Sequence, residues 1–189
     1  MGLTIEDGTG SGREAGVNSE NRLSVDAVSF SGEHHANHHD KQAYNVQFSQ
    51  APTANDDCIY YMQNTSDTDM VVEGMYLATS AACEVYVKVD NSGTRNSATA
   101  LTPTNLNRGS GNEADGVFEK GADLDGGAAT LTSGIEIARG VFHAALSTSN
   151  FNFEQDIILP KNSTLTIWCD TAATTITALV DFNSHSEES

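Results

Sequence analysis

Short segments in which apolar and polar residues alternate are the feature that most constrains how this chain can fold. Cys83, Val85 and Val87 alternate with more polar neighbours, and the same period of two recurs at residues 163–169 and 174–182. Successive side chains of a β-strand point to opposite faces, so each segment is predicted to be a strand with one face in a core and the other in solvent. Several such strands predict a β-sandwich or a β-barrel.

Strands are predicted along almost the whole chain, and no segment has a convincing helical pattern. The segments are 22–30, 43–49, 58–63, 70–79, 83–89, 98–101, 116–119, 128–131, 135–146, 151–159, 163–169 and 174–182. Residues 58–63 and 70–79 are apolar at both parities, which predicts strands that are covered on both faces. The predicted fold class is all-β, a jelly-roll-like antiparallel β-sandwich with an extended N-terminal arm. An immunoglobulin-like sandwich is the alternative, although its Cys–Trp–Cys spacing is not present.

The two ends of the chain differ from its middle. Residues 1–21 are rich in glycine and poor in apolar residues, which predicts a flexible or extended arm. Residues 22–183 are predicted to form the β-sandwich body, and residues 184–189 a polar tail. A length of 189 residues fits one domain with a sizeable core.

The charge of the chain argues against several classes of partner. The sequence has 26 Asp and Glu against 9 Lys and Arg, a formal net charge of -17. Such a surface repels nucleic acid and anionic lipid, so neither nucleic acid nor a membrane is an expected partner. The N-terminus lacks the basic start and apolar run of a signal peptide, and we expect the chain to be made and kept in a cytosol.

Cysteines and histidines are the residues that most invite a chemical interpretation. Cys58, Cys83 and Cys169 are an odd number without a secretion signal, which predicts buried thiols and no disulfide framework. Histidines occur at 34, 35, 38 and 39, in a polar stretch that predicts a solvated loop between two strands. Metal binding by this run is the alternative, because histidines four apart on a helix share a face. We expect no cofactor and no metal.

Other residues bear on metal binding, catalysis and contact with a partner. Asp123 and Asp125, followed by two glycines, resemble part of a calcium loop but lack a third acid and a closing Glu. No Gly-x-Ser-x-Gly is present, and no carboxylate pair can be chosen among so many acids. A non-enzymatic protein is therefore expected, with a cupin-like or hydrolytic enzyme using the histidines as a weaker alternative. Trp168, the single tryptophan, is predicted to lie at a sheet edge or a subunit contact.

Two segments, one near each end of the chain, resemble a known class of proteins. The opening, residues 5–23, reads IEDGTGSGREAGVNSENRL, and the closing hairpin, residues 157–167, reads IILPKNSTLTI. In these segments the chain resembles tailed-phage virion proteins that decorate or cement the capsid. The resemblance implies a homotrimer on the capsid exterior that binds the major capsid protein. It also implies a capsid-contact arm, with Ile5, Glu6, Asp7, Arg13, Glu14, Val17 and Asn21 as the contact residues.

Two functions follow from these considerations. The first is a virion structural protein that stabilises the outer capsid shell. The alternative is a phage tail, fibre or baseplate component that recognises glycans of the host surface. An aromatic platform on an exposed sheet face would favour the alternative, because sugars stack on aromatic rings.

Overall fold

The computed structural model describes residues 36–185, apart from the side chains of His39, 154–156 and His185. One π-helical turn, Ala36–Asp40, precedes eleven strands. The strands are β1 (Ala43–Gln50), β2 (Asp57–Asn64), β3 (Asp69–Thr79), β4 (Cys83–Val89), β5 (Thr99–Ala100), β6 (Thr104–Asn105), β7 (Gly116–Lys120), β8 (Ile135–Phe142), β9 (Thr148–Leu159), β10 (Thr164–Cys169) and β11 (Ile176–His185). The expected strand at 22–30 lies outside the described residues, as does the arm.

The strands form two antiparallel sheets with the connectivity of a jelly roll. One sheet has the order β6-β1-β11-β3-β9, and the other has the order β5-β7-β2-β10-β4-β8. If only the eight long strands are counted in chain order, the sheets read 1-8-3-6 and 2-7-4-5, which is the double Greek key of a jelly roll. The three short strands β5, β6 and β7 are an insertion between β4 and β8. The predicted all-β jelly-roll sandwich is confirmed.

The main core lies between the two sheets and is built from the inward parity of each strand. In β4, Cys83, Val85 and Val87 are buried, and their alternate neighbours are not. The rings of Phe48 in β1 and Tyr60 in β2 stack across the gap between the sheets, with centroids 4.7 Å apart. Each such buried side chain contributes roughly 1.5–3 kcal/mol to the stability of the fold relative to an exposed one. Burial of these side chains is therefore the reason that the two sheets pack face to face.

A second, smaller core lies on the outer face of the six-stranded sheet. Residues 121–134, which we call the cover segment, place Leu124 and Leu131 against Cys58, Tyr61 and Trp168. The cover segment explains why β2 is apolar at both parities: one face packs in the sandwich and the other beneath this loop. The prediction that Trp168 lies at a sheet edge is therefore wrong, because β10 lies between β2 and β4. The indole is only 4% exposed.

Backbone hydrogen bonds to residues 92–96 hold the cover segment in place. Thr130 N donates to Thr94 O over 3.1 Å, Thr132 N to Ser92 O over 2.8 Å, and Asn96 N to Leu124 O over 2.9 Å. The predicted strand at 128–131 is wrong, since the segment makes these bonds without joining a sheet. Gly127 and Gly134 explain the irregularity, because their positive φ values of 60° and 63° turn the chain at both ends of that stretch.

Two strand ends differ clearly from the prediction. β8 ends at Phe142 instead of residue 146, and a tight turn at 143–147 leads to β9. β11 continues to His185, so two residues expected in the polar tail belong to a strand, and Ser184 is buried. Within residues 36–185, no helix is long and apolar enough to cross a membrane.

Candidate functional site

The arm residues proposed to contact a capsid lie outside the described residues. Ile5, Glu6, Asp7, Arg13, Glu14, Val17 and Asn21 are all in this group. The geometry that can be assessed for function is therefore that of the sandwich and its loops.

The histidine run lies partly in the π-helical turn and not in an irregular loop. His38 is exposed on that turn, whereas His34, His35 and the side chain of His39 are outside the described part of the chain. Among the described side chains, no histidine belongs to a group of three or more potential metal ligands. The solvated character of the whole run stays a prediction.

Three carboxylates that the sequence separates converge beside the cover segment. Asp57, at the start of β2, brings one carboxylate oxygen within 4.8 Å of oxygens of Asp123 and Asp125. It supplies the third acid that sequence reasoning did not find. Asp57 accepts hydrogen bonds from two backbone N–H groups at residues 53 and 54, and Asp125 accepts one from Cys58 N over 2.7 Å. Burial raises the pKa of Asp125. The Asp125 bond attaches the cover segment to β2, and the Asp57 bonds hold the turn that precedes β2, so both carboxylates have a structural use.

The three cysteines are free and buried, as predicted. Cys83 and Cys169, on neighbouring strands, lie together with Asp170. Burial raises the pKa of Cys83 to about 12 and also raises the pKa values of Cys169 and Cys58. All three are therefore thiols at neutral pH, and they pack as small hydrophobic side chains in the core.

A groove lies on the outer face of the five-stranded sheet. Cross-strand pairing places Gln47, Leu179, Tyr76 and Asn150 in one row across β1, β11, β3 and β9. The next row contains Ser49, Thr177, Ala78 and Thr148. The groove encloses about 480 Å³, and the Tyr76 side chain at its centre is 51% exposed. We call this surface the Tyr76 groove.

Sequence reasoning missed the Tyr76 groove because it treated residues 70–79 as covered on both faces. A bulge between Val72 and Gly74 breaks the register of β3, so Met75 and Leu77 point inward and Tyr76 points outward. The alternation of Met75, Tyr76 and Leu77 is the local signal that could have found the exposed ring. Trp168, the aromatic residue singled out, is buried instead.

Exposed apolar side chains concentrate on one side of the sandwich. Of the seven large hydrophobic residues that are exposed in the described part of the chain, five lie on β8, β9 or the turn between them: Ile135, Ile137, Val141, Leu146 and Ile158. β8 and β9 are the outermost strands of their sheets. Phe151 and Phe153 of β9 are half-buried and pack against the main core. We call this side the β8–β9 seam. Leu146 is 86% exposed and has a positive φ of 58°.

Comparison with protein-family models, with curated proteins and with solved structures found no match for this chain.

Proposed function

We propose that the protein is a non-enzymatic virion structural protein, a capsid decoration protein. It binds the outer shell as a homotrimer and ties neighbouring copies of the major capsid protein together. The β8–β9 seam is the observation that carries the proposal, since it provides this acidic protein with a surface for assembly. The resemblance at both ends of the chain and the jelly-roll body support the same function, and the arm residues from Ile5 to Asn21 are assigned to the capsid contact.

The chemistry of the seam favours contact between copies of this chain. Large apolar side chains exposed on edge strands favour an interaction site, because an edge strand also presents unpaired backbone groups that a partner can use. Residues 135–153 contain one acid, Glu136, and one Arg, Arg139, so this part of the seam is neutral by formal charge in a chain of net charge -17; Glu154 and Asp156 follow it on β9. Two copies can therefore approach along residues 135–153 with less repulsion than along more acidic parts of the surface.

The outer face of β2 gives no reason to expect a second subunit. β2 is apolar at both parities, but the cover segment of the same chain buries its outer face. β3 differs, since Val71 is buried on the outer side and Tyr76 is exposed there. Self-association is thus proposed from the β8–β9 seam alone.

We expect light scattering after size exclusion to give about 60 kDa, three chains of 20.0 kDa. Changing Ile135 and Val141 to Lys should reduce the mass to that of one chain, because burying two new charges in an interface is costly. The double variant Thr102→Lys and Leu106→Lys adds the same charge at exposed positions away from the seam and should remain trimeric. A wild-type monomer at tens of micromolar would contradict the proposal, as would a seam variant that folds by circular dichroism and stays trimeric.

The proposed role in the particle has its own test. Virions that lack the protein should assemble but release their DNA at a lower temperature than intact virions, because the links between capsid subunits are missing. The measurement is dye-detected DNA release against temperature, with adsorption to host cells assayed in parallel. Deficient particles that retain DNA normally and fail to adsorb would replace decoration by the alternative, a tail, fibre or baseplate component that recognises the host.

A further inference from the structure

We propose that the Tyr76 groove is a binding site for a neutral oligosaccharide. The groove lies on the outer face of the five-stranded sheet and shares β9 with the β8–β9 seam, since Thr148 and Asn150 line it. An exposed aromatic side chain on a sheet face is the feature expected of a host-recognition protein, and a decoration protein on the capsid exterior can carry the same site, so the proposal does not rest on the choice between the two functions.

The groove has the dimensions of a site for an extended ligand. The row from Gln47 through Leu179 and Tyr76 to Asn150 crosses four adjacent strands. With neighbouring strands about 4.8 Å apart, the row is roughly 14 Å long. A chain of several sugar rings can lie along it, whereas a monosaccharide would contact only part of the row.

The side chains of the groove combine the two kinds of contact that a sugar needs. A pyranose ring has an apolar C–H face and a rim of hydroxyl groups. Tyr76 offers an exposed aromatic face, extended by the partly exposed Leu179, for the apolar side of the sugar. Gln47 and Asn150 are exposed on either side, and an amide both donates and accepts hydrogen bonds, as a sugar hydroxyl requires. Thr148 and Thr177 add exposed hydroxyls in the next row.

The charge of the groove selects among ligands. Of the described residues that line it, none carries a charged side chain, although the chain has 26 acids. Its described lining therefore offers no Arg or Lys to a carboxylate, sulfate or phosphate, and the negative field of the protein repels such groups. The lining offers no carboxylate to an amine either; Asp181 lies in the next row of the same face. The lining fits uncharged, hydroxyl-rich ligands. The few polar side chains of the groove would fix the orientation of such a ligand.

The experiment titrates the full-length protein with maltohexaose, cellohexaose and mannohexaose, with polygalacturonate as the anionic comparison. Isothermal calorimetry gives the affinity, and nitrogen-15 chemical shifts locate the contact. At least one neutral hexasaccharide should bind and shift the amides of Gln47, Tyr76 and Asn150. Tyr76→Ala should weaken that binding about tenfold, the loss expected when a ring stacking worth about 1.4 kcal/mol is removed. Tyr76→Phe keeps the ring and should bind within about threefold of wild type.

Tyr86→Ala is the matched control, because Tyr86 lies on the outer side of the opposite sheet and should leave sugar affinity unchanged. The proposal is overturned if none of the three neutral probes binds at about 10 mM, a concentration that detects even weak sites. Equal binding of polygalacturonate would also overturn it, as would shifts confined to other surfaces. If Tyr76→Ala changes the molecular mass in light scattering, the face is a subunit contact and the sugar site is rejected. None of these outcomes bears on the DNA-release test.

Discussion

Replacement of Trp168 by Ala is expected to lower the free energy of unfolding by about 4 kcal/mol, in the range for removing a large buried aromatic side chain. The indole supports the small core beneath the cover segment and contacts the ammonium group of Lys88, whose Nζ lies 4.1 Å from the ring centroid. Its Nε1–H donates to the Thr166 hydroxyl over 2.8 Å. That hydroxyl donates to Asn91, and the Asn91 amide donates to Thr132 O. Loss of the indole therefore leaves a cavity and disturbs a buried chain of hydrogen bonds.

Urea unfolding followed by circular dichroism measures this effect. Trp168→Phe keeps most of the apolar volume and loses the Nε1–H donor, so a smaller loss of about 1–2 kcal/mol is expected. Tyr76→Ala is the comparison for an exposed aromatic residue and should stay within about 0.5 kcal/mol of wild type. A loss below about 1 kcal/mol for Trp168→Ala would mean that the cover segment does not pack as described.

Replacement of Gly93 by Ala should lower the free energy of unfolding by about 2–3 kcal/mol. This is the expected effect of a backbone strain and a steric clash combined. Gly93 has a φ of 109°, which essentially only glycine adopts, and a Cβ there would collide with the Thr130 carbonyl oxygen. The clash falls within the ladder between residues 92–96 and the cover segment, so that ladder should open first. The indole beneath the segment should then become more hydrated.

Trp168 is the only tryptophan, so its fluorescence reports this change directly. We expect a red-shifted emission for Gly93→Ala in native buffer, together with a lower urea midpoint. Gly111→Ala is the matched control, because a Cβ at Gly111 meets nothing within 4 Å. Its stability should equal that of wild type or rise by about 0.5 kcal/mol, through the reduced entropy of the unfolded chain. An unshifted emission and unchanged midpoint for Gly93→Ala would contradict the role assigned to the ladder.

The candidate sites were less accessible from sequence than the strands were. The sequence places Asp123 and Asp125 together, but Asp57 lies more than 60 residues away, and only the docking of the cover segment brings it near them. The Tyr76 groove needs four strands from distant parts of the chain in one register, and the bulge in β3 decides which side chains face outward. The β8–β9 seam depends on which strands become outermost, and a local pattern does not carry that information.

The amino-acid pattern is enough to identify the strands and the inward parity of most of them. A period of two is a local property, and burying the apolar side of each strand is favourable whichever neighbours it meets, so residues such as Val85, Val87 and Ile167 can be assigned to the core from the sequence. Which outer faces are covered depends on the packing of distant segments. Trp168 is buried and Tyr76 is exposed, although both lie in strands with apolar neighbours. The difference arises because the cover segment folds over one sheet and, among the described residues, no loop covers the Tyr76 groove. Long-range hydrogen bonds and packing determine which face is covered, and a local alternation of residues does not contain that information.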